Sequence, residues 1–340
     1  MVGVSLQSSE ELHGWKQRLG SIVLRQDVLL LAIFVVMVAV FSAVNPRFFS
    51  LAAAANILQD FSPVVLMAIG QTFVIASAGI DLSVGSLLGL SGVAMALAIR
   101  TLNEAGFDPA MTIVIGLAAA VCVGTLVGLL NGLLIAYARI VPFVATLAMM
   151  GATAGLTIVV TSGVEVAGGP REVILLGNGR YLGGLTAPVI MVFLIIVIAW
   201  ASLSRTRFGR WTYAIGSNLF AARAAGINVN VHIIKIYVLS GILSALAGAF
   251  VYFRLGSGSP LSGRGGELSS IAAAVIGGMS LQGGVGRMSG SVMGALITTS
   301  VLSGLILIGV EPNWQQIVVA ALIAIAVGVQ GIGGMGRTGA

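Results

Sequence analysis

Residues 109–138 read PAMTIVIGLAAAVCVGTLVGLLNGLLIAYA, without one Asp, Glu, Lys or Arg. At ~1.5 Å of rise per residue, a helix over this stretch is longer than the ~30 Å apolar core of a bilayer. Nine further charge-free stretches accompany it: 28–46, 61–80, 82–99, 140–164, 181–204, 236–253, 268–286, 288–310 and 312–336, each at least 18 residues long. The pattern predicts an all-α, polytopic membrane bundle of about ten spanning helices (roughly nine to eleven). The stretch 268–286 is rich in glycine and serine and is expected to be broken or re-entrant.

Composition leads to the same class. Of the 340 residues, 58% are hydrophobic and 8% charged, whereas a soluble domain carries roughly 25% charged residues to cover its surface. The 47 glycines and 12 methionines suit helices whose backbones approach closely in lipid. Cys122 excludes a disulfide framework and is expected to be an inert buried thiol. A net charge of +6 could signal nucleic acid, but the basic residues are spread between apolar runs rather than clustered with aromatics. Nucleic-acid binding is therefore excluded, and the excess is read as membrane topology.

Ten crossings with the N-terminus in the cytoplasm place Lys16, Arg18, Arg25, Arg139, Arg205, Arg207, Arg210, Arg223, Lys235, Arg287 and Arg337 inside. Arg47, Arg100, Arg171, Arg180, Arg254 and Arg264 fall outside, and eleven against six supports this orientation. The expected organisation is a cytoplasmic segment 1–27, a transmembrane domain 28–336 and a cytoplasmic tail 337–340. The run after Arg25 is read as a retained first span rather than a cleaved signal. Pro63, Pro142, Pro188 and Pro312 are expected near helix starts, where a missing N–H is harmless.

The longest cytoplasmic connection, 205–232, holds four arginines and no acid. Its centre reads Gly216-Ser217-Asn218-Leu219-Phe220-Ala221-Ala222-Arg223-Ala224-Ala225-Gly226-Ile227. Ser217 or Asn218 can cap a short helix, and Gly226 can end it with a left-handed turn. About two turns of helix are marginal alone, so this one must pack against headgroups or against a partner protein.

Two polar breaks interrupt the apolar pattern. Gly79-Ile80-Asp81-Leu82-Ser83-Val84-Gly85 carries an acid at membrane depth; Gly278-Met279-Ser280-Leu281-Gln282-Gly283-Gly284 repeats its G-x-[DS]-L-x-x-G pattern 199 residues later. Asp81 or Ser83 can cap the following span, or broken helix ends can line the route of a polar solute. The later segment is an internal-repeat counterpart or a chance match. Asn131-Gly132 reads either as close helix packing through glycine or as a polar point on that route.

With the stretch 131–135 and Val141-Pro142-Phe143-Val144-Ala145-Thr146-Leu147, these motifs run in order over about residues 45 to 330. In that order and spacing the chain resembles the permease subunits of ribose/xylose/galactoside-type ABC importers. The resemblance implies a bacterial inner-membrane permease that passes a neutral monosaccharide. Its partners would be a second permease copy, a periplasmic sugar-binding protein and a cytoplasmic ATPase that consumes the ATP. It makes Gly216, Asn218, Leu219, Phe220, Ala222, Arg223 and Gly226 the coupling helix, while the polar breaks and Asn131, if they line the route instead of capping and packing helices, make Gly79, Asp81, Ser83, Gly85, Asn131, Gly278, Ser280 and Gln282 the candidate pathway. Alternatives are a branched-chain amino-acid permease of the same ABC class and a stand-alone secondary carrier.

Chemistry of its own is not expected of the chain. Lys16 and Lys235 follow Trp15 and Ile234 and complete no phosphate-cradling G-x-x-x-x-G-K-[ST] loop. Gly89-Leu90-Ser91-Gly92 resembles the serine motif of intramembrane proteases, but the histidines, His13 and His232, lie outside reach of a buried Ser91. Asp81 stands alone where an aspartyl dyad or a carboxylate relay needs partners. No metal site and no bound cofactor are expected.

Overall fold

In lipid a backbone can satisfy its own polar groups only as helix or closed barrel, and the computed structural model, which describes residues 26–311 and 313–335, is helical throughout save an isolated antiparallel bridge between Val166 and Gly258. The expected segment before residue 26, with His13, and the tail 337–340 lie outside the described residues, as does Pro312. In chain order the helices are α1 (Gln26–Val44), α2 (Leu51–Ala76), α3 (Val84–Glu104), α4 (Pro109–Ala136), α5 (Pro142–Thr161), α6 (Arg171–Asn178) and α7 (Ala187–Arg205). There follow α8 (Arg207–Ser217), α9 (Leu219–Ala224), α10 (Val229–Leu255), α11 (Gly266–Ile276), α12 (Met288–Leu307) and α13 (Asn313–Met335).

Eight of the described helices, α1 to α5, α7, α10 and α12, are long and apolar enough to cross a membrane. The stretch 268–286 is broken, as expected: it forms the short α11 and a turn. The described apolar part of α13 is Trp314–Gly328.

Reading from charge to charge misplaced several helix ends. Helix α2 starts at Leu51 instead of 61, because the Ser50 hydroxyl accepts from Ala53 N at 3.1 Å and Asp60, inside the helix, pairs with Arg254 of α10. Pro63 therefore lies within α2 instead of at its start. Helix α10 begins seven residues before 236, capped by Asn228, which accepts from Val231 N at 3.2 Å, while Lys235 stays exposed on its outer side. A paired charge, or one whose head reaches the interface, does not end a helix. Pro109, Pro142 and Pro188 do sit in first turns. Cys122 is not buried; it faces outward from α4.

The core is built around α10, which packs on α2, α3 and α4 and buries Tyr237 and Tyr252. Contact with α4 is made through backbone. A Cβ at Gly124 would meet the Gly241 carbonyl, and one at Gly128 would lie 2.8 Å from Val238 Cα. Such seams hold helices together in lipid, where apolar burial supplies no drive between them. Gly128→Leu is expected to cost at least about 1–3 kcal/mol by overpacking, read as thermal unfolding in nanodiscs. Gly155→Leu is expected to be tolerated, since nothing lies within 4 Å of a Cβ there.

Candidate functional site

Each break leaves the last carbonyls of a packed helix end without intrahelical partners, and they must be satisfied locally. The first break, 77–83, follows α2: Ala78, at φ +62°, donates to Ile75 O at 2.9 Å, and Gly79 donates to Val74 O at 2.9 Å. The second, 277–287, follows α11 in the same way. Gly278, at φ +88°, donates to Val275 O at 2.9 Å, and Met279 to Ala274 O at 3.0 Å. This double bond around a left-handed residue is the usual helix C-terminal motif.

The two breaks are structural counterparts with a change of register. Cap geometry pairs Gly278 with Ala78, not with Gly79. The turns that follow pair Ser280 with Asp81, as the repeat suggested: Asp81 Oδ1 accepts from Ser83 N at 3.0 Å, and Ser280 Oγ accepts from Gln282 N at 3.3 Å. The first break thus carries one more residue between cap and turn.

Asp81 is the centre of a buried polar hub. Its Oδ1 also accepts from the Ser83 hydroxyl at 2.6 Å, and its Oδ2 from Ser240 of α10 at 2.9 Å. Asn131 Nδ2 of α4 donates to Ser83 Oγ at 2.9 Å, Thr146 of α5 donates to Ile80 O at 3.2 Å, and the Gln71 amide of α2 donates to Asp81 O. Side chains or backbone from α2, the first break, α4, α5 and α10 converge here. Neither Asp81 nor Ser83 caps the first turn of α3 with a side chain; Asp81 holds the turn that leads into it. Gly79 lies where a Cβ would come 2.6 Å from Tyr237 Oη, and Gly85 where one would come 3.0 Å from Glu267 N.

Sequence reasoning found Asp81, Ser83 and Asn131 and missed Gln71, Thr146 and Ser240. Their signal was present, since Gln71 is the lone amide in 61–80. Ser280 and Gln282 do not join the hub. Ser280 is half-buried and Gln282 exposed, in a turn that meets the first break by backbone: Gly284 N donates to Ala76 O at 3.0 Å. Ser91 is buried and donates to Leu87 O at 2.8 Å.

A third element closes on this junction. Gly216, in the last turn of α8, packs beneath Ala76 O, and a Cβ on it would fall 2.7 Å from Gly284 N. Tyr213 Oη donates to Gly286 O at 2.8 Å. The loop 205–232 therefore holds two helices where one was expected over 217–227. Helix α8 is amphipathic, burying Gly209, Thr212 and Ile215, and Thr212 is hydrogen-bonded to His232 at 2.9 Å. Its arginines hid that face from a reading by charge.

The expected short helix is α9, six residues long. Asn218, not Ser217, caps it, accepting from Ala221 N at 2.9 Å, and Gly226 ends it at φ +82°. Leu219 and Ala222 face inward with Ile215 and Val229, while Phe220 is 78% exposed. Arg223 and Arg139 line a polar cavity of about 450 Å³ beside it.

A multi-span bundle with paired backbone breaks and a short capped helix in a basic loop is an architecture suited to a membrane permease. The chain belongs to the family described as branched-chain amino acid transport system / permease component, which it matches over residues 53–327. It is 42% identical over 296 residues to the ribose import permease protein of Escherichia coli (strain K12), covering 86% of this chain and 89% of that one. The ribose import permease protein of Bacillus subtilis (strain 168) is 42% identical over 293 residues, covering 86% and 88%. The galactose/methyl galactoside import permease protein of E. coli K12 is 34% identical over 310 residues, covering 88% and 92%. No solved structure matches the chain with significance.

Removal of the Asp81 carboxylate strands the Ser83 and Ser240 donors, at about 1–3 kcal/mol for each group left unpaired. Asp81→Ala is expected to lower folded abundance and thermal stability together, with uptake per folded molecule retained. Unchanged abundance with lost uptake would place the carboxylate on the solute instead.

Proposed function

We propose that the chain is the membrane permease subunit of an ATP-driven importer that takes a neutral monosaccharide from a periplasmic binding protein. The observation that carries this is the identity of 42% over 296 residues to a ribose import permease. The family description names amino acids, yet relatives named for ribose and galactosides align over most of the chain. Among the described residues no arginine or lysine is a hydrogen-bond partner of the one buried carboxylate, Asp81, whose Ser83 and Ser240 contacts hold the first break.

In this reading two copies enclose the route, and both chain ends and 205–232 face the cytoplasm. ATP is bound and hydrolysed by the partner ATPase, and this chain holds no cofactor. The breaks form the part of the wall that moves, with the Asp81 hub fixing the first of them. Helix α9 inserts Phe220 into a cleft of the ATPase, and Arg139 and Arg223 meet acidic or carbonyl acceptors at its edge. Displacement of α9 passes through Asn218 to Gly216, which touches the end of α2, where the first break begins, and the second break.

The test is uptake of labelled ribose, galactose and leucine by cells expressing the chain with its ATPase and binding protein. A monosaccharide is expected to accumulate and leucine not; the reverse result overturns the sugar assignment. Phe220→Asp with Gly226→Val is expected to fold and insert normally but to lose the ATPase on purification, abolishing uptake. No Cβ contact arises at Gly226, so its effect comes from the left-handed backbone alone. Normal assembly and full uptake in this double variant would instead favour a stand-alone carrier.

A further inference from the structure

Between α7, α8 and the start of α12 lies a cavity of about 310 Å³, lined by Trp200, Leu203, Arg210, Tyr213, Arg287 and Ser289 among others. It is a cationic site. Arg205 Cζ lies 5.1 Å from the ring centroid of Trp200, which lines the cavity, and Arg210 donates to Arg205 O at 3.4 Å. Among the described residues one acid pairs with the group: Asp27 of α1, 3.3 Å from Arg287, in a pair exposed on both sides and therefore weakly held. Arg287, the residue before the first turn of α12, supplies no side-chain cap, so first-turn N–H groups point towards the same end.

The cavity continues into an apolar surface. Trp200, Val197 and Phe193 of α7 follow one another at helical spacing and are all exposed on the bundle's outer side. A phosphate in the cavity would place attached acyl chains along this stripe, whereas free phosphate would leave the stripe unused.

We infer that this cavity binds the phosphate headgroup of an anionic phospholipid, between Arg210 of α8 and Arg287 at the start of α12, with its chains along α7. Basic pockets between spanning helices are a known mode of headgroup recognition. Since Tyr213 and Arg210 share α8, and Gly286 and Arg287 end the second break, the lipid would fasten α8 to that break from outside the bundle.

The test is native mass spectrometry of the purified permease after exchange from nanodiscs of phosphatidylcholine with phosphatidylglycerol. The wild type is expected to retain phosphatidylglycerol, and Arg210→Gln/Arg287→Gln to retain it less, on the order of tenfold or more. Ser289→Trp keeps every charge but fills the cavity, and is expected to lose the lipid as well. It carries the test alone if the arginine variant does not fold. Arg47→Gln/Arg171→Gln, altered elsewhere on the surface, should retain the lipid fully. Retention by Ser289→Trp would overturn the site in favour of diffuse surface charge. Displacement by millimolar inorganic phosphate would mark a free-anion site, and displacement by the bound ATPase a protein interface; either overturns the inference.

Discussion

Two connections of this chain, one between the spanning helices α2 and α3 and one after the short α11, pack against the bundle, and each backbone N–H and C=O buried there must find a partner. Most of the architecture answers to that constraint. Left-handed caps at Ala78 and Gly278 close the ends of α2 and α11, and Gly284 N reaches across to Ala76 O to join one break to the other. Asp81 and its partners from α4, α5 and α10 hold the first break in place. Glycines at 216, 283 and 284 let three backbones meet where a side chain would part them.

Close backbone contact also makes the junction stiff. Residues in van der Waals contact transmit displacement with little slack, because packed interiors compress poorly. Six-residue α9 has too few hydrogen bonds to be stable alone and depends on Ile215 and Val229 beneath it. It is thus a small exposed handle fixed to the C-terminal end of α8, whose last turn lies against the end of α2 and the second break. A motion applied at Phe220 has a path of about one helical turn to the junction at Gly216.

The membrane class, the breaks and the short capped helix at 219–224 were legible in the sequence because each rests on a local signal: absent charge, glycine beside an acid, a capping Asn. Helix ends at Leu51 and Val229 were not, since Asp60 is satisfied by Arg254 from a distant helix and Lys235 by solvent at the rim. Helix α8 was missed for a related reason; its buried Thr212 needs His232, twenty residues on, to make sense of it. The registration of the two breaks was legible only in part. Identical letters aligned Gly79 with Gly278, whereas the backbone places Ala78 in the left-handed position, a conformation that sequence assigns to glycine by default.

The central claim is that α8 couples the ATPase to both breaks through Gly216. Its most direct test is the ratio of sugar transported to ATP hydrolysed in proteoliposomes containing Gly216→Ala permease, ATPase and binding protein. The added methyl cannot fit between Ala76 O and Gly284 N without parting α8 from the junction. The account predicts an assembled complex that hydrolyses ATP while the transport ratio collapses. A folded, assembled variant with an unchanged ratio would contradict it.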